Sequence, residues 1–151
     1  MHRNAIGRAR EEITKQVVDA DESVHDYASY VPVGEAVRKL QGWKGQGATI
    51  CYLSSHRNAI DVESDKFVLK EYAFPDGQIF CRGHGDEYKD VVERIRPLPD
   101  VIVEDDCQSI GGEAETVYPN LGSELRDRIK SIVVKEFGGI DHVPDRLCEL
   151  R

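Results

Sequence analysis

Basic residues are the minority charge in this chain: 20 lysines and arginines face 28 aspartates and glutamates, a net charge of −8 over 151 residues. A protein that tracks a phosphate backbone needs concentrated positive charge, so nucleic acid is not an expected partner, and neither is an anionic membrane. Long apolar runs are missing as well. Nothing approaches the ~20 residues needed to span a bilayer, and Met1-His2-Arg3-Asn4 lacks the apolar core of a secretory signal. Closely paired cysteines are absent, because Cys51, Cys81, Cys107 and Cys148 stand far apart with no Cys-x-x-Cys. That argues against a zinc site or a disulfide framework and leaves free thiols in a cytoplasmic protein. No repeat or low-complexity tract is present, which removes solenoid readings. The length suits one domain over residues 1–151, enough to bury a single core.

What is present begins with Val101-Ile102-Val103-Glu104-Asp105-Asp106, a β-branched run that stops at three carboxylates. Near-continuous Val/Ile runs mark strands buried on both faces. Ligands of open α/β sheets bind beyond the carboxyl ends of the strands. Three adjacent anions repel unless a positive charge is shared between them, and hard oxygen ligands favour Mg²⁺. A solvated acidic junction is the competing account. Cys107, beside the acids, is expected to have its reactivity blunted, since neighbouring anions raise a thiol's pKa.

Two further pieces share this grammar. Pro32-Val33-Gly34 opens a segment with Ala36, Val37, Leu40 and Trp43 at helical spacing, and Gly47 ends it. Ala48 to Leu53 then reads as a strand running into Ser54-Ser55-His56-Arg57. A serine hydroxyl there can donate to a phosphate oxygen, or can cap a helix beginning near Ala59. Arg57 adds a cation on the same loop. The third piece is a helix with Tyr88, Val91, Val92 and Ile95 on one stripe and Lys89 in its first turn. The helix dipole disfavours a cation there, so Lys89 faces either an anionic ligand or Glu93 four residues on.

These pieces, in this order, resemble the haloacid dehalogenase superfamily of phosphohydrolases. Its members carry a Pro-x-Gly opening to a helix, a strand ending in Ser or Thr, a Lys or Arg at a helix start and a strand ending in acids. The resemblance covers roughly residues 31 to 137, and the Ser109 to Gly112 run after the acids is similar to small members of the group. It implies a Rossmann-like three-layer sandwich with a mostly parallel sheet, and a Mg²⁺-dependent phosphatase-type activity on a small phosphorylated molecule or phosphoprotein. Asp105 and Asp106 would be the metal ligands, Lys89 would offset charge, Ser54 or Ser55 would donate to phosphate, and Arg57 would contact substrate.

One departure bears on mechanism. The family's nucleophile is the first Asp of an Asp-x-Asp motif ending the first strand, and this chain has no such strand before its first helix. Asp19-Ala20-Asp21 has the spacing but follows a helical segment. Covalent catalysis needs a nucleophile within reach of the substrate, so the chain as written is expected to be inactive. Either it begins just after such a strand or it has lost the chemistry and serves as a non-catalytic binding or assembly module. The first account is preferred, because losing a mid-sheet strand costs backbone hydrogen bonds and buried contacts.

The periodicities predict helices at 8–20, 34–45, 60–72, 86–96 and 122–129, and strands at 48–53, 78–81, 100–104 and 131–135. A linker is expected at 21–31, a turn at Pro75-Asp76-Gly77 and a Gly-rich loop at 107–121. Residues 8–31 fall where the family inserts a cap. By the same resemblance, a cap this small implies an open site taking large or macromolecular substrates, or a cap supplied by a second subunit of a homo-oligomer.

Overall fold

The computed structural model describes residues 1–110 and 113–150, so Gly111 and Gly112 of the Ser-Ile-Gly-Gly run lie outside the described residues. The elements are α1 (Arg10–Val18), α2 (Glu22–His25), α3 (Ala36–Gly45), β1 (Cys51–Ser54), α4 (Ala59–Glu71), β2 (Gln78–Cys81) and α5 (Tyr88–Arg94). They continue as β3 (Val101–Asp105), β4 (Ser109–Ile110), β5 (Glu113–Ala114), α6 (Ser123–Arg126) and β6 (Lys130–Val134). The fold is mixed α/β. Strands form where β-branched and apolar residues cluster, and short 3₁₀ turns occupy Arg3–Ala5, Tyr27–Ser29, Tyr118–Asn120 and Leu147–Glu149.

A single mostly parallel sheet is expected from the alternating pattern. Instead, among the described residues, β1 pairs in parallel with β2, and β3 pairs in parallel with β6. The short strands β4 and β5 form a separate antiparallel hairpin inside the segment expected to be a loop. No ladder joins β1 to β3, and residues 1–7 contribute a 3₁₀ turn rather than a strand. The strands are correspondingly uncovered: β1 has no buried residue, and Val103, in the middle of β3, is 38% exposed.

Two apolar clusters occupy opposite faces of β3–β6. Alternate strand residues point to opposite faces. Ile102 joins Tyr88, Val92, Ile95, Val117, Leu121 and Ile129 on one side. Val101 and Ile132 join Trp43, Val134, Val143 and Leu150 on the other. Leu53 of β1 and Phe80 of β2 also pack on the first cluster, so α5 underlies both small sheets.

The helix starts follow local chemistry. Gly34 has φ +52°, and a Cβ there would run into the Asp141 carboxylate. That carboxylate accepts the Glu35 N–H at 2.7 Å at the mouth of α3. Asn58, not Ser54 or Ser55, caps α4 by accepting the Asp61 N–H at 2.9 Å. The predicted linker at 21–31 contains α2, whose first turn is held by Asp21 accepting from Ser23 N–H at 2.9 Å. Helix 8–20 shortens to α1, since Ala20 takes a left-handed φ of 54°. Helix 122–129 shortens to the single turn of α6.

Candidate functional site

The carboxyl ends of the strands carry the expected polar residues, but each is committed to a neighbour. Ser54, the last residue of β1, donates its hydroxyl to Asp65 of α4 at 2.5 Å and accepts the His56 N–H at 3.1 Å. His56 Nδ1 lies 3.0 Å from the same Asp65 oxygen, and Tyr27 sits over the imidazole with ring centroids 4.2 Å apart. Serine, histidine and aspartate therefore meet, but both partners converge on the aspartate. In a hydrolytic triad the histidine would stand between hydroxyl and carboxylate, so this cluster is not a nucleophile-and-base pair.

Ser55 belongs to a second group. Arg82, at the end of β2, is only 7% exposed and donates to the Ser55 carbonyl from Nε at 3.1 Å and Nη2 at 2.9 Å. Its guanidinium stacks 4.4 Å from the Tyr88 ring centre. Burial pushes the Tyr88 phenol up to about 12, with hydrogen bonds to Ser55 and Glu115 acting in opposite directions. Glu115 follows the β4–β5 hairpin, so this group links the residues just past β1 and β2 with the start of α5 and the residue after the hairpin. Arg57 lies on the exposed loop before α4 and donates to the Gly83 carbonyl at 2.7 Å.

Lys89 lies in the first turn of α5, and its ammonium pairs with Glu87 at 2.8 Å rather than with Glu93. The Glu87 carboxylate, by hydrogen bond and charge, holds the lysine pKa above its ordinary value. Among the described residues no ion pair connects Lys89 to Asp105 or Asp106. This helix start therefore has its own internal counter-ion.

Glu104 faces the α5 side and accepts the Val117 N–H at 2.5 Å and the Tyr118 N–H at 3.1 Å, which anchors the chain after the hairpin. Asp105 is exposed, with one oxygen accepting the Cys107 N–H at 2.9 Å. Asp106 is the most engaged of the three. It accepts the Glu136 N–H at 2.8 Å and pairs with Arg10 at 3.0 Å, and Arg10 also holds Glu136 at 3.1 Å. The Glu136 amide first, and Arg10 second, hold the Asp106 pKa below the usual carboxylate range. Cys107 is pushed up to about 11, chiefly by burial and then by Glu136 and Asp105, so desolvation ranks ahead of the neighbouring anions that the sequence points to.

Arg10 and Tyr27 bring the 8–31 segment to Asp106 and His56, just past the ends of β3 and β1. The sequence reading missed Arg10, Asp65 and Arg82. Arg10 carried a usable signal, because it opens α1 and a cation in a first turn is disfavoured unless an anion lies opposite. Among the described residues, no three His, Cys, Asp or Glu side chains converge as metal ligands. Two open depressions lie elsewhere. One of about 360 Å³ is lined by Arg3, Asn4, Glu22, Ser23, Asp26 and Ser29, and one of about 310 Å³ sits at the amino ends of β3 and β6. Among the described residues, no helix is long and apolar enough to cross a membrane.

No protein-family model matches the chain, and neither a curated protein nor a solved structure matches it.

Proposed function

We propose that this chain is an α/β domain of the haloacid dehalogenase type that engages a phosphate ester, on a small molecule or a phosphoprotein, and does not hydrolyse it unaided. One observation carries the reading: the parallel strands β1 and β3 end in Ser54-Ser55 and Asp105-Asp106, with Lys89 opening the helix that underlies both. Serine hydroxyls and a lysine ammonium can donate to phosphate oxygens without covalent chemistry. Hydrolysis in this class begins with a carboxylate attacking phosphorus, and the described residues place no further strand-end acid between β1 and β3.

Mg²⁺ is the cofactor this reading brings with it, and the donor set fits it poorly. The ion wants near-octahedral oxygen coordination. Asp105 offers a carboxylate oxygen, while Asp106 is spent on Arg10 and the Glu136 amide. The Arg10–Asp106 pair also favours the second reading, a non-catalytic binding or assembly module, since a fixed guanidinium does the neutralising that a metal would do. A soluble, cytoplasmic, self-associating form is part of the same proposal.

Hydrolysis of p-nitrophenyl phosphate with millimolar Mg²⁺ tests the reading. Release is expected to match the buffer blank, and turnover that Asp105→Asn abolishes would overturn the claim of inactivity. Lys89→Ala separates recognition from structure. It should leave the thermal midpoint essentially unchanged, as for an exposed pair, while weakening inorganic phosphate binding at least tenfold. Equal phosphate affinity in the two proteins would remove Lys89 from the site.

A further inference from the structure

Ser54 has one proton to give, and Asp65 holds it. The hydroxyl lies 2.5 Å from Oδ2 of Asp65, and a carboxylate oxygen only accepts, so the serine is the donor in that bond. Its oxygen also accepts the His56 N–H at 3.1 Å. What Ser54 still offers a ligand is a lone pair. His56 Nδ1, 3.0 Å from the same Oδ2, must likewise carry the proton shared there. Tyr27 stacks on that imidazole with ring centroids 4.2 Å apart, so the group holding the carboxylate is itself held.

Both bonds fall on Oδ2. Asp65 Oδ1 receives none among the described residues, and the side chain is 28% exposed, so a ligand at the end of β1 can reach it. The strand end thus presents acceptors, one of them charged. An oxyanion without a proton would set lone pairs against lone pairs there, a mismatch that rejects a ligand. An oxyanion that brings a proton meets the opposite situation. Its P–OH donates to Oδ1 in a charge-assisted bond, typically about 2.5–2.7 Å long.

We propose that Asp65 makes this site select a phosphoryl group that carries a proton, as free phosphate or as a monoester, over oxyanions that carry none, such as a sulfate or a phosphodiester. The proposal rests on the phosphate-ester reading, in which Lys89 supplies the attraction. Asp65 and Ser54 decide which oxyanion is admitted. A phosphate monoester takes up its second proton at a pH of about 6, so its protonated form is present near neutrality. A sulfate and a diester have no such form there.

Calorimetric titration of the full chain at pH 6.5 tests it, with inorganic phosphate, methyl phosphate, sulfate and dimethyl phosphate as probes. Phosphate and methyl phosphate should both bind, and the tighter of the two names the source of the ligand. Sulfate and dimethyl phosphate should bind at least tenfold more weakly than phosphate. Because one of these carries more negative charge than the other, charge alone does not account for the exclusion of both. Asp65→Asn puts an amide donor in reach of an unprotonated oxygen while keeping an acceptor for P–OH. Sulfate should therefore gain at least tenfold in that variant, and phosphate should change less than threefold. Sulfate binding the parent as tightly as phosphate would overturn the selection and leave the phosphate-ester reading standing. The same preference persisting in Asp65→Asn would overturn its assignment to Asp65. Absence of phosphate and methyl phosphate binding to the parent would overturn both readings. The parent alone reports the preference, so the test survives a variant that fails to fold.

Discussion

Trp43→Ala is expected to lower stability by about 3–5 kcal/mol, the range for removing a buried aromatic and leaving a partly collapsed cavity. For a chain of this length that is a drop of roughly 6–20 °C in the thermal midpoint. Trp43 is 3% exposed and packs with Val134, Val143 and Leu150. Its indole N–H donates to the Pro144 carbonyl at 3.0 Å, so truncation also strips that carbonyl of a donor. Trp43→Phe keeps the ring contacts and loses the hydrogen bond, and should cost well under half as much. Because Trp43 is the single tryptophan, circular dichroism rather than intrinsic fluorescence should follow the melts. A Trp43→Ala midpoint within about 1 °C of the parent would show that this cluster is not a core.

The second large effect is expected in mild acid. His2 is 2% exposed, with Nδ1 2.8 Å from the Ser23 hydroxyl and Nε2 buried without a partner. Burial lowers its pKa below the ordinary 6.5, reinforced by the Met1 ammonium and opposed by Asp21. The unfolded chain therefore takes up the proton first. The stability that neutral His2 supports is fully present above about pH 6.5 and falls as pH drops below that value. The Met1 amine, pushed down to about 6 by burial, adds a loss of the same sign from about pH 8 downward. A protonated ring would carry an N–H with no acceptor, a penalty of about 1–3 kcal/mol for a buried donor. Melts between pH 8 and 5.5 should show a steeper decline for the parent than for His2→Phe. Parallel curves would mean that His2 does not titrate against folding.

These two sites also show what the sequence could reveal. The strands β1, β2, β3 and β6 and the helices α3, α4 and α5 announce themselves through β-branched runs and three-four spacing. Trp43, Tyr88 and Val92 fall in the core where that spacing put them. Periodicity carries no information about partners across the chain. Nothing local tells Ser54 that its hydroxyl meets Asp65, or Asp106 that Arg10 lies opposite, or Lys89 that its partner is Glu87. The β4–β5 hairpin and α2 are too short to show a period, so a loop and a linker were expected there. The division into two small sheets was hidden for another reason. Local patterning specifies each strand, while continuity of a sheet depends on whether a neighbour exists.

The docking of α3 sets a schedule for the protein's birth. Its start is held by Asp141, Lys39 is buried against the Val143 carbonyl and Asp145, Trp43 reaches Pro144, and Gln46 receives the Leu147 N–H. Every one of these partners is made about a hundred residues after the helix itself. At typical synthesis rates of 5–20 residues per second, α3 waits roughly 5–20 s for the surface that buries it. A newly made chain thus carries an uncovered tryptophan face until residues 141–150 have been made, the interval in which a chaperone would find it. Arrested nascent chains ending before residue 140 should remain protease-sensitive within 36–45, and chains carrying residue 150 clear of the ribosome should not.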